Sequence, residues 1–327
     1  MEYKAGYAGR ARYVERRCVI NAMTHAMVFA SAPSFSWNLV ADIQQMLAVD
    51  FMRAASLSGS VIAVTCGLVG YYVLLRRLIF ASDALSHVGF AGAMAAAFLG
   101  WNPFVGLFGG SIIVGVGMGQ LGKTSARSRD VAVGTVLAWI LGLGALFLGL
   151  YLAHPVANAN IAVGVGVLFG SIFGIDAQTA LVISAVGAAT SLALLAMARP
   201  LLFASLDPEV ARARGLPVRL LDALFLTLLA VTVAEAVPAV GALLVFALIV
   251  APAASARRLV TRPYVALFLS AAFALVITWV GLTMAFYLSY PVSFDISALG
   301  FVVYLVVLAY QRVRAVKFVE QASNMVH

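Results

Sequence analysis

Long apolar runs without Asp, Glu, Lys or Arg dominate this sequence. One extends from Ala54 to Leu75, a second from Ala84 to Gly122 with His87 as its only ionisable group, and a third from Val131 to Ile175. A helix needs about 20 apolar residues to cross a bilayer, and a charge at its centre costs at least ~2.5 kcal/mol on insertion scales. The runs therefore predict transmembrane helices.

The composition excludes an ordinary soluble enzyme. Hydrophobic residues make up 63% of the 327 residues and charged residues only 10%, whereas about a quarter of a soluble domain is charged. Divided by the length of one span, the chain accommodates eight or nine helices. We therefore predict an all-α fold, a polytopic transmembrane helix bundle of about eight to nine helices with a short cytoplasmic helix.

Interruptions in the apolar runs predict where helices end. Trp101-Asn102-Pro103 divides the second run into two helices, and His154-Pro155 divides the third into a helix and a shorter piece that spans or re-enters the membrane. Three glycines of that piece have the spacing of one closely packed helix face: Gly166, Gly170 and Gly174. Further spans are expected at 177–198, as two helices within 223–256, at 263–290 and at 297–311.

This division predicts three regions. Residues 1–50 are an N-terminal extension of uncertain structure, 51–312 are the transmembrane domain, and 313–327 are a cytoplasmic tail. Two acidic residues near the ends of spans are expected to be capping or solvated side chains: Asp176 and Asp295.

Basic residues are concentrated between the apolar runs, at 76–77, 122–130, 199–219, 257–262 and 312–317. Placing all five segments in the cytoplasm satisfies the positive-inside rule and predicts a multi-pass membrane protein with a cytoplasmic C-terminus. The side of the N-terminus stays open, because residues 18–37 are a further apolar stretch. Since these clusters explain the net charge of +8, the expected surroundings are lipid, and no nucleic-acid partner is expected.

Asp83 and His87 are the sharpest candidate site. Residues four apart lie on the same face of a helix, and carboxylate oxygen and imidazole nitrogen both bind zinc and manganese. An Asp83 that caps the helix, with His87 hydrogen-bonded to a neighbour, explains the spacing equally well.

Glu235 is the second candidate, because its neighbours from Ala223 to Ala256 are nonpolar. An acidic residue inside a span is expected to face the bundle interior or a water-filled path. Glu235 would serve transport as a third metal ligand, a gate residue or the partner of an intramembrane base. A structural ion pair is the alternative.

Residues 117–124 match the G-x-x-x-x-G-K-[ST] pattern of a phosphate-binding loop. Such a loop requires a preceding strand and a following helix in a soluble α/β domain. Here Gly117 follows an apolar span, and Lys123 and Thr124 lead into a basic loop. We expect no resident cofactor and no enzymatic activity in this chain, so that any ATPase is a separate chain.

The polar segment at 205–217 predicts a short cytoplasmic helix, with Asp207 as N-cap, Pro208 as first helical residue and Gly215 near its end. Three charged side chains are expected to face a partner: Glu209, Arg212 and Arg214. Three apolar side chains are expected to hold the helix against the bundle: Leu206, Val210 and Leu216. An ordinary interfacial loop is the alternative.

Three stretches between Phe51 and Tyr310 carry a resemblance to a known family. The first is V-L-L-R-R at 73–77 followed by D-A-L-S-H at 83–87, and the second is L-F-G-S-I-F-G-I at 168–175. The third comprises D-P-E at 207–209, G-L-P at 215–217, V-G-A-L-L at 240–244 and P-A-A-S-A-R at 252–257. The chain resembles the permease subunits of ATP-binding-cassette importers for zinc, manganese and iron.

This resemblance implies a homodimer of permeases, two cytoplasmic ATPase subunits and an extracytoplasmic protein that delivers the metal. It also implies that Asp83 and His87 lie in the translocation path of a transported divalent metal, and that the segment from Asp207 to Gly215 couples to the ATPase. The choice between zinc, manganese and iron stays open, because carboxylate plus imidazole serves all three.

A secondary metal transporter driven by an ion gradient is the competing hypothesis. In it, Asp83, His87 and Glu235 would form a proton relay. The lack of a clear internal sequence repeat and the charged segment at 207–215 argue against it.

Overall fold

The computed structural model describes residues 44–120, 126–153, 161–288 and 290–324. From Ala48 onward the chain forms one compact unit, and no strand occurs in the described residues. Its helices are α1 (Asp50–Leu75), α2 (Ile79–Phe98), α3 (Pro103–Gln120), α4 (Ala126–Ala153), α5 (Ile161–Phe169), a 3₁₀ helix (Ile172–Gly174), α6 (Ala177–Ala196), α7 (Ala198–Leu206), α8 (Pro208–Ala213), α9 (Val218–Val240), α10 (Val245–Leu259), α11 (Pro263–Leu288) and α12 (Val292–Asn324).

Seven helices in the described part of the chain are long and apolar enough to cross a membrane: α1, α2, α4, α6, α9, α11 and α12. The stretch Pro103–Met118 of α3 is a shorter apolar helix. The seven candidate spans are one fewer than the lower limit of the predicted eight to nine, since α3 is shorter and α10, the second helix predicted within 223–256, has only 15 residues. The predicted polytopic helix bundle is confirmed.

The arrangement places α1 at the centre. It packs against α6, α9, α10 and α11, while α2 packs against α3, α4 and α9. In α1, 72% of the residues of the most apolar window are buried inside the protein, compared with 17% in α4. The core is therefore built from α1, α2 and α9, and α4 lies at the periphery.

The predicted interruption at Trp101-Asn102-Pro103 is confirmed. α2 ends in a Schellman motif in which Gly100 has φ 76° and the N–H groups of Gly100 and Trp101 donate to carbonyls of the last turn. Asn102 Oδ1 accepts a hydrogen bond from the Phe104 N–H at 3.0 Å. Pro103 is the first residue of α3, a position where its missing N–H costs nothing.

The prediction that Gly166, Gly170 and Gly174 share one helix face is wrong. α5 ends at Phe169, and Gly170 has φ 74°, a left-handed conformation that glycine adopts without strain. A Cβ on Gly170 would lie 2.5 Å from the backbone nitrogen of Gly241, which has φ 93° at the end of α9. Gly170 and Gly241 therefore allow two helix ends to come into contact, rather than two helices to pack side by side.

At these two helix ends, the backbone groups of one segment form hydrogen bonds with those of the other. The Ser171 N–H donates to the Pro238 carbonyl at 3.0 Å, and the Ala242 N–H donates to the Val167 carbonyl at 3.0 Å. Non-helical backbone inside a membrane protein is tolerated where protein buries it and pairs its polar groups. The junction between α5 and the α9–α10 turn meets this condition.

Glycines also set the distance between packed helices. In α1, a Cβ on Gly67 would lie 2.6 Å from the Ala271 Cα of α11, and the Ser270 hydroxyl donates to the Gly67 carbonyl at 2.7 Å. Between α2 and α3, a Cβ on Gly92 or Gly106 would overlap the other's carbonyl oxygen. The small residues bring backbones into direct contact, as is typical of membrane helix interfaces.

Some predictions concern parts of the chain outside the described residues. These are residues 1–43 of the N-terminal extension, the His154-Pro155 interruption and Lys123 of the phosphate-loop pattern. The expected start of the C-terminal tail at 313 falls within α12, which continues to Asn324.

We expect Gly106→Ala to destabilise the protein by about 1–3 kcal/mol, because the added methyl group overpacks the α2–α3 contact. Gly109→Ala, three residues later in α3, is the matched control, because a Cβ there meets nothing within 4 Å. Alanine is the better helix former, so the control should be neutral or slightly stabilising. Thermal unfolding of the purified variants measures both, and equal midpoints would contradict the packing explanation.

Candidate functional site

Asp83 and His87 lie on one face of α2, as predicted. His87 Nε2 is 4.0 Å from Asp83 Oδ1, with side-chain exposures of 15% and 37%. His87 Nδ1 is buried and has no hydrogen-bond partner among the described residues. The N-cap of α2 is Leu78, without a side-chain cap bond, so Asp83 does not cap the helix. The pair is half-open, and its polar atoms are available to a ligand.

Glu235 occupies a different place in the bundle. Its carboxylate lies against α6, where a Cβ on Gly187 would be 3.1 Å from Oε2 and 3.2 Å from Oε1. Val237, two residues further along α9, instead lies near Gly89 of α2, 3.8 Å from a Cβ built there. Residues two apart on a helix point about 200° apart, so Glu235 faces away from the helix that carries Asp83.

The described residues contain no group of three or more His, Cys, Asp or Glu side chains placed to hold a metal ion. The structure thus brings Asp83 and His87 together and does not bring Glu235 to them. Their roles in transport stay predictions.

The Glu235 carboxylate is fully buried at 0% exposure, and neither oxygen has a hydrogen-bond partner among the described residues. The nearby Thr65 Oγ1 donates to the Val61 carbonyl at 2.9 Å or the Gly187 carbonyl at 3.2 Å, or pairs with Ser191 Oγ at 2.9 Å, and it is the hydroxyl next to the carboxylate. A buried carboxylate with so few polar neighbours is costly. Glu235 is thus an enclosed acidic group in an interior site between α1, α6 and α9.

Sequence reasoning missed this polar neighbourhood. Thr65 and Ser191 are common residues of apolar helices, and Gly187 contributes by having no side chain. Only the threonine-serine pairing across α1 and α6 reveals them, and no spacing along the chain signals it.

The prediction of a capping or solvated side chain is confirmed for one of the two acidic residues near helix ends and not for the other. Asp176 is the N-cap of α6, as expected: its oxygens accept hydrogen bonds from the Thr179 hydroxyl at 2.6 Å and the Thr179 N–H at 3.1 Å. These bonds hold the pKa of Asp176 below its ordinary value. Asp295 is 2% exposed with Oδ2 unpartnered in the described part of the chain, so the prediction of a solvated or capping residue is wrong for it.

The predicted short helix is present as α8. Asp207 is its N-cap and accepts a hydrogen bond from the Val210 N–H at 3.0 Å, and Pro208 is its first residue. Gly215, with φ 80°, closes a Schellman motif at its end. The capping prediction from the sequence is confirmed.

The exposed side of α8 carries the charges. Glu209, Arg212 and Arg214 are exposed. The anchoring prediction is wrong for two residues, because Leu206 is 59% and Val210 41% exposed. Ala211, which is fully buried, holds α8 against its neighbours instead.

A buried arginine joins this segment to the start of α2. Arg76, at the end of α1, donates from Nη1 to Asp222 Oδ1 of α9 at 2.6 Å and from Nε to Ser205 Oγ of α7 at 2.7 Å. Its guanidinium lies 5.1 Å from the centre of the Phe225 ring. Arg76 thus connects α1, α7 and α9 three residues before α2 begins.

The basic segments meet at this end of the bundle. A pocket of about 300 Å³ is lined by Arg76, Arg77 and Arg212, which belong to two of the basic segments. Met118 and Val133, in the helices on either side of the segment at 122–130, also line it. The other two segments lie close to each other, because Arg258 donates to Tyr304 and to Gln311 of α12. We call this the basic end.

Comparison with known proteins decides the family. A model of the ABC 3 transport family matches residues 48–311. The chain belongs to the ABC 3 transport family. The match covers α1 to α11 and most of α12, and with them Asp83, His87, Glu235 and the segment from Asp207 to Gly215.

Relatives of this ABC 3 transport protein include the manganese transport system membrane protein MntC of Halalkalibacterium halodurans, 28% identical over 239 residues, which are 73% of this chain and 80% of the relative. The high-affinity zinc uptake system membrane protein ZnuB of Haemophilus influenzae is 28% identical over 215 residues, 65% of this chain and 80% of the relative. The structure of PsaBC from Streptococcus pneumoniae in complex with Fab has a TM-score of 0.71 at 24% identity and covers 82% of this chain and 95% of that one. The last likeness shows a shared fold.

Asp222→Ala should destabilise this ABC 3 transport protein by about 1–3 kcal/mol, because it leaves the guanidinium of Arg76 buried with one partner fewer. Asp222→Asn keeps an acceptor and should cost less. Chemical or thermal unfolding in detergent measures the difference. If both variants unfold like the wild type, the pair is not a structural tie.

Proposed function

We propose that this chain is the membrane-spanning permease subunit of an ATP-driven importer of divalent metal ions, with zinc, manganese or iron as the cargo. The observation that carries the proposal is the family match over 48–311 together with relatives named for manganese transport and zinc uptake. The helix bundle and the Asp83–His87 pair support it.

Asp83 and His87 are proposed as a transient binding site for the metal, here called the metal station. Two ligands of one tetrahedral ion with bonds of about 2.1 Å lie about 3.4 Å apart. Asp83 Oδ1 and His87 Nε2 are 4.0 Å apart, so a small side-chain shift brings both atoms to one ion. Two protein ligands leave further coordination positions for water or other groups. A cargo ion must be released, so an incomplete ligand set suits transport better than a closed structural site.

Glu235 is proposed as a gate residue rather than a member of that station, since it faces α6. Movement of α9 against α1 and α6 would expose the carboxylate to water or to the ion. Its burial is also the one observation that favours a gradient-driven secondary transporter, in which Glu235 carries a proton. Family membership favours the ATP-driven importer.

The proposed assembly contains a second copy of this permease, cytoplasmic ATP-binding-cassette ATPase subunits and an extracytoplasmic metal-binding protein. The basic end faces the cytoplasm of a bacterial-type cell, in agreement with the positive-inside rule, and the C-terminus lies on the same side. The chain contributes no ATP hydrolysis and no resident cofactor.

Force is proposed to pass from the ATPase to α8 and then to Arg76. Glu209, Arg212 and Arg214 present charge outward, and α8 directly follows α7, whose Ser205 bonds to Arg76. Three residues beyond Arg76 the chain enters α2, which carries Asp83 and His87. Displacement of α8 therefore has a short, hydrogen-bonded route to the metal station.

Asp83→Ala and His87→Ala should each abolish metal uptake in a permease-deletion strain while leaving membrane insertion intact, because each removes a ligand from a half-open polar site. Asp176→Ala, at an exposed helix cap, is the control and should retain uptake. Accumulation of zinc, manganese and iron measured in cells identifies the cargo in the same assay. Normal uptake by a well-expressed Asp83/His87 double variant would remove the pair from the path.

Replacing Glu209 and Arg212 together by Ala should uncouple the transporter. The ATPase should still turn over, but metal loaded on the binding protein should neither stimulate it nor enter proteoliposomes. Arg262→Ala, exposed at the basic end but outside the segment, is the matched control. If stimulation and uptake both survive the double replacement, α8 is not the coupling element and the gradient-driven alternative gains support.

A further inference from the structure

The pocket at the basic end has an excess of positive charge. Its charged lining residues are three arginines and one acid: Arg76, Arg77, Arg212 and Asp222. Asp222 is bonded to Arg76 at 2.6 Å. The pocket is thus positively charged by two units, and it opens between the α1–α2 junction and α8.

Arg76 lines the pocket with a side chain that is held in place by hydrogen bonds. Its side chain is 8% exposed and is held by Asp222 and Ser205, while Nη2 is buried without a hydrogen-bond partner among the described residues. The side chains of Arg77 and Arg212 are exposed and make no ion pair or hydrogen bond within the described part of the chain. Two free guanidinium groups therefore flank a buried third one.

Arg77 occupies a position that normally requires glycine. It has φ 56°, and no other described residue except glycine has a positive φ. Its N–H donates to the Leu74 carbonyl and the Leu78 N–H to the Val73 carbonyl, the two bonds of a Schellman motif.

The ends of α2 and α8 use the same motif with Gly100 and Gly215 in the left-handed position. An arginine there is strained, and an observed strain of this kind is a reason to look for a function. What Arg77 provides and glycine would not is a cation at the mouth of the pocket.

The surroundings of the mouth are apolar. Ile79 and Phe80, two and three residues after Arg77, are 37% and 51% exposed. The Phe80 ring lies 3.8 Å from a Cβ built on Gly134 of α4, and the neighbouring Val133 lines the pocket. A ligand that joins an anionic group to a hydrocarbon chain fits this combination better than a carboxylate of a protein in water.

We propose that this pocket binds the phosphate group of an anionic phospholipid, with the acyl chains along Ile79 and Phe80. Guanidinium groups bind phosphate through paired, charge-assisted hydrogen bonds. Basic pockets between helix ends are typical sites for lipid headgroups. A bound lipid would bridge Arg77 before α2 and Arg212 of α8, and it would do so whatever the transporter carries.

The test uses the full-length chain in nanodiscs of phosphatidylcholine, with or without phosphatidylglycerol. The measured quantities are the thermal midpoint and the lipid retained in native mass spectrometry. In the wild type, phosphatidylglycerol should raise the thermal midpoint. Arg77→Gly and Arg212→Gln should each bind phosphatidylglycerol roughly tenfold more weakly and lose most of this thermal gain. Arg219→Gln, an exposed arginine at the same end that does not line the pocket, should keep it.

Arg77→Gly separates binding from folding. Because glycine suits the left-handed position, its midpoint in phosphatidylcholine alone should equal or exceed that of the wild type. Inorganic phosphate added to phosphatidylcholine discs, at constant ionic strength, is the second arm and should give no gain.

Four results would overturn the proposal. Wild-type protein without preference for phosphatidylglycerol, or an equal loss in Arg219→Gln, would reduce the effect to diffuse surface charge. An equal gain with inorganic phosphate would assign the pocket to a free anion. Unchanged lipid retention in Arg77→Gly and Arg212→Gln, together with weaker ATPase assembly in neutral discs, would assign it to a carboxylate of that partner.

Discussion

Hydrocarbon offers no hydrogen bonds to a peptide group, and the fold answers this constraint at every break in a helix. Where α5 stops at Phe169 and α9 stops at Val240, the free backbone groups pair with each other across the two breaks. Gly170 and Gly241 make the approach possible because a side chain on either would overlap the opposite backbone. At this junction the interior therefore contains non-helical chain whose backbone groups are paired.

The polar side chains of the bundle fall into two groups with opposite character. Asp83 and His87 are half-open and close to the basic end, whereas Glu235 is sealed between α1, α6 and α9. In this conformation only the first group is partly exposed. A transport cycle that uses both must therefore alter the packing of α9, whose neighbours on its two faces are different helices.

The sequence predicted the fold well because charge and proline act locally in a membrane protein. Charge-free runs located the spans, Pro103 and Pro208 marked helix starts, and Asp207 marked a cap, since each signal depends only on residues within one turn. The glycine spacing at 166, 170 and 174 misled, because the same residue serves close packing and chain reversal. The separation of Glu235 from Asp83 and the pairing of Arg76 with Asp222 depend on how distant helices rotate against each other, which no local pattern records.

The close approach of Gly92 and Gly106 has a mechanical consequence. Backbones in direct contact resist sliding, so a displacement of α2 is transmitted to α3. Gly115 of α3 in turn packs against α9, because a Cβ on Gly115 would lie 2.6 Å from the Ala230 Cβ. The helix that carries Asp83 and His87 is therefore connected mechanically, through α3, to the helix that carries Glu235.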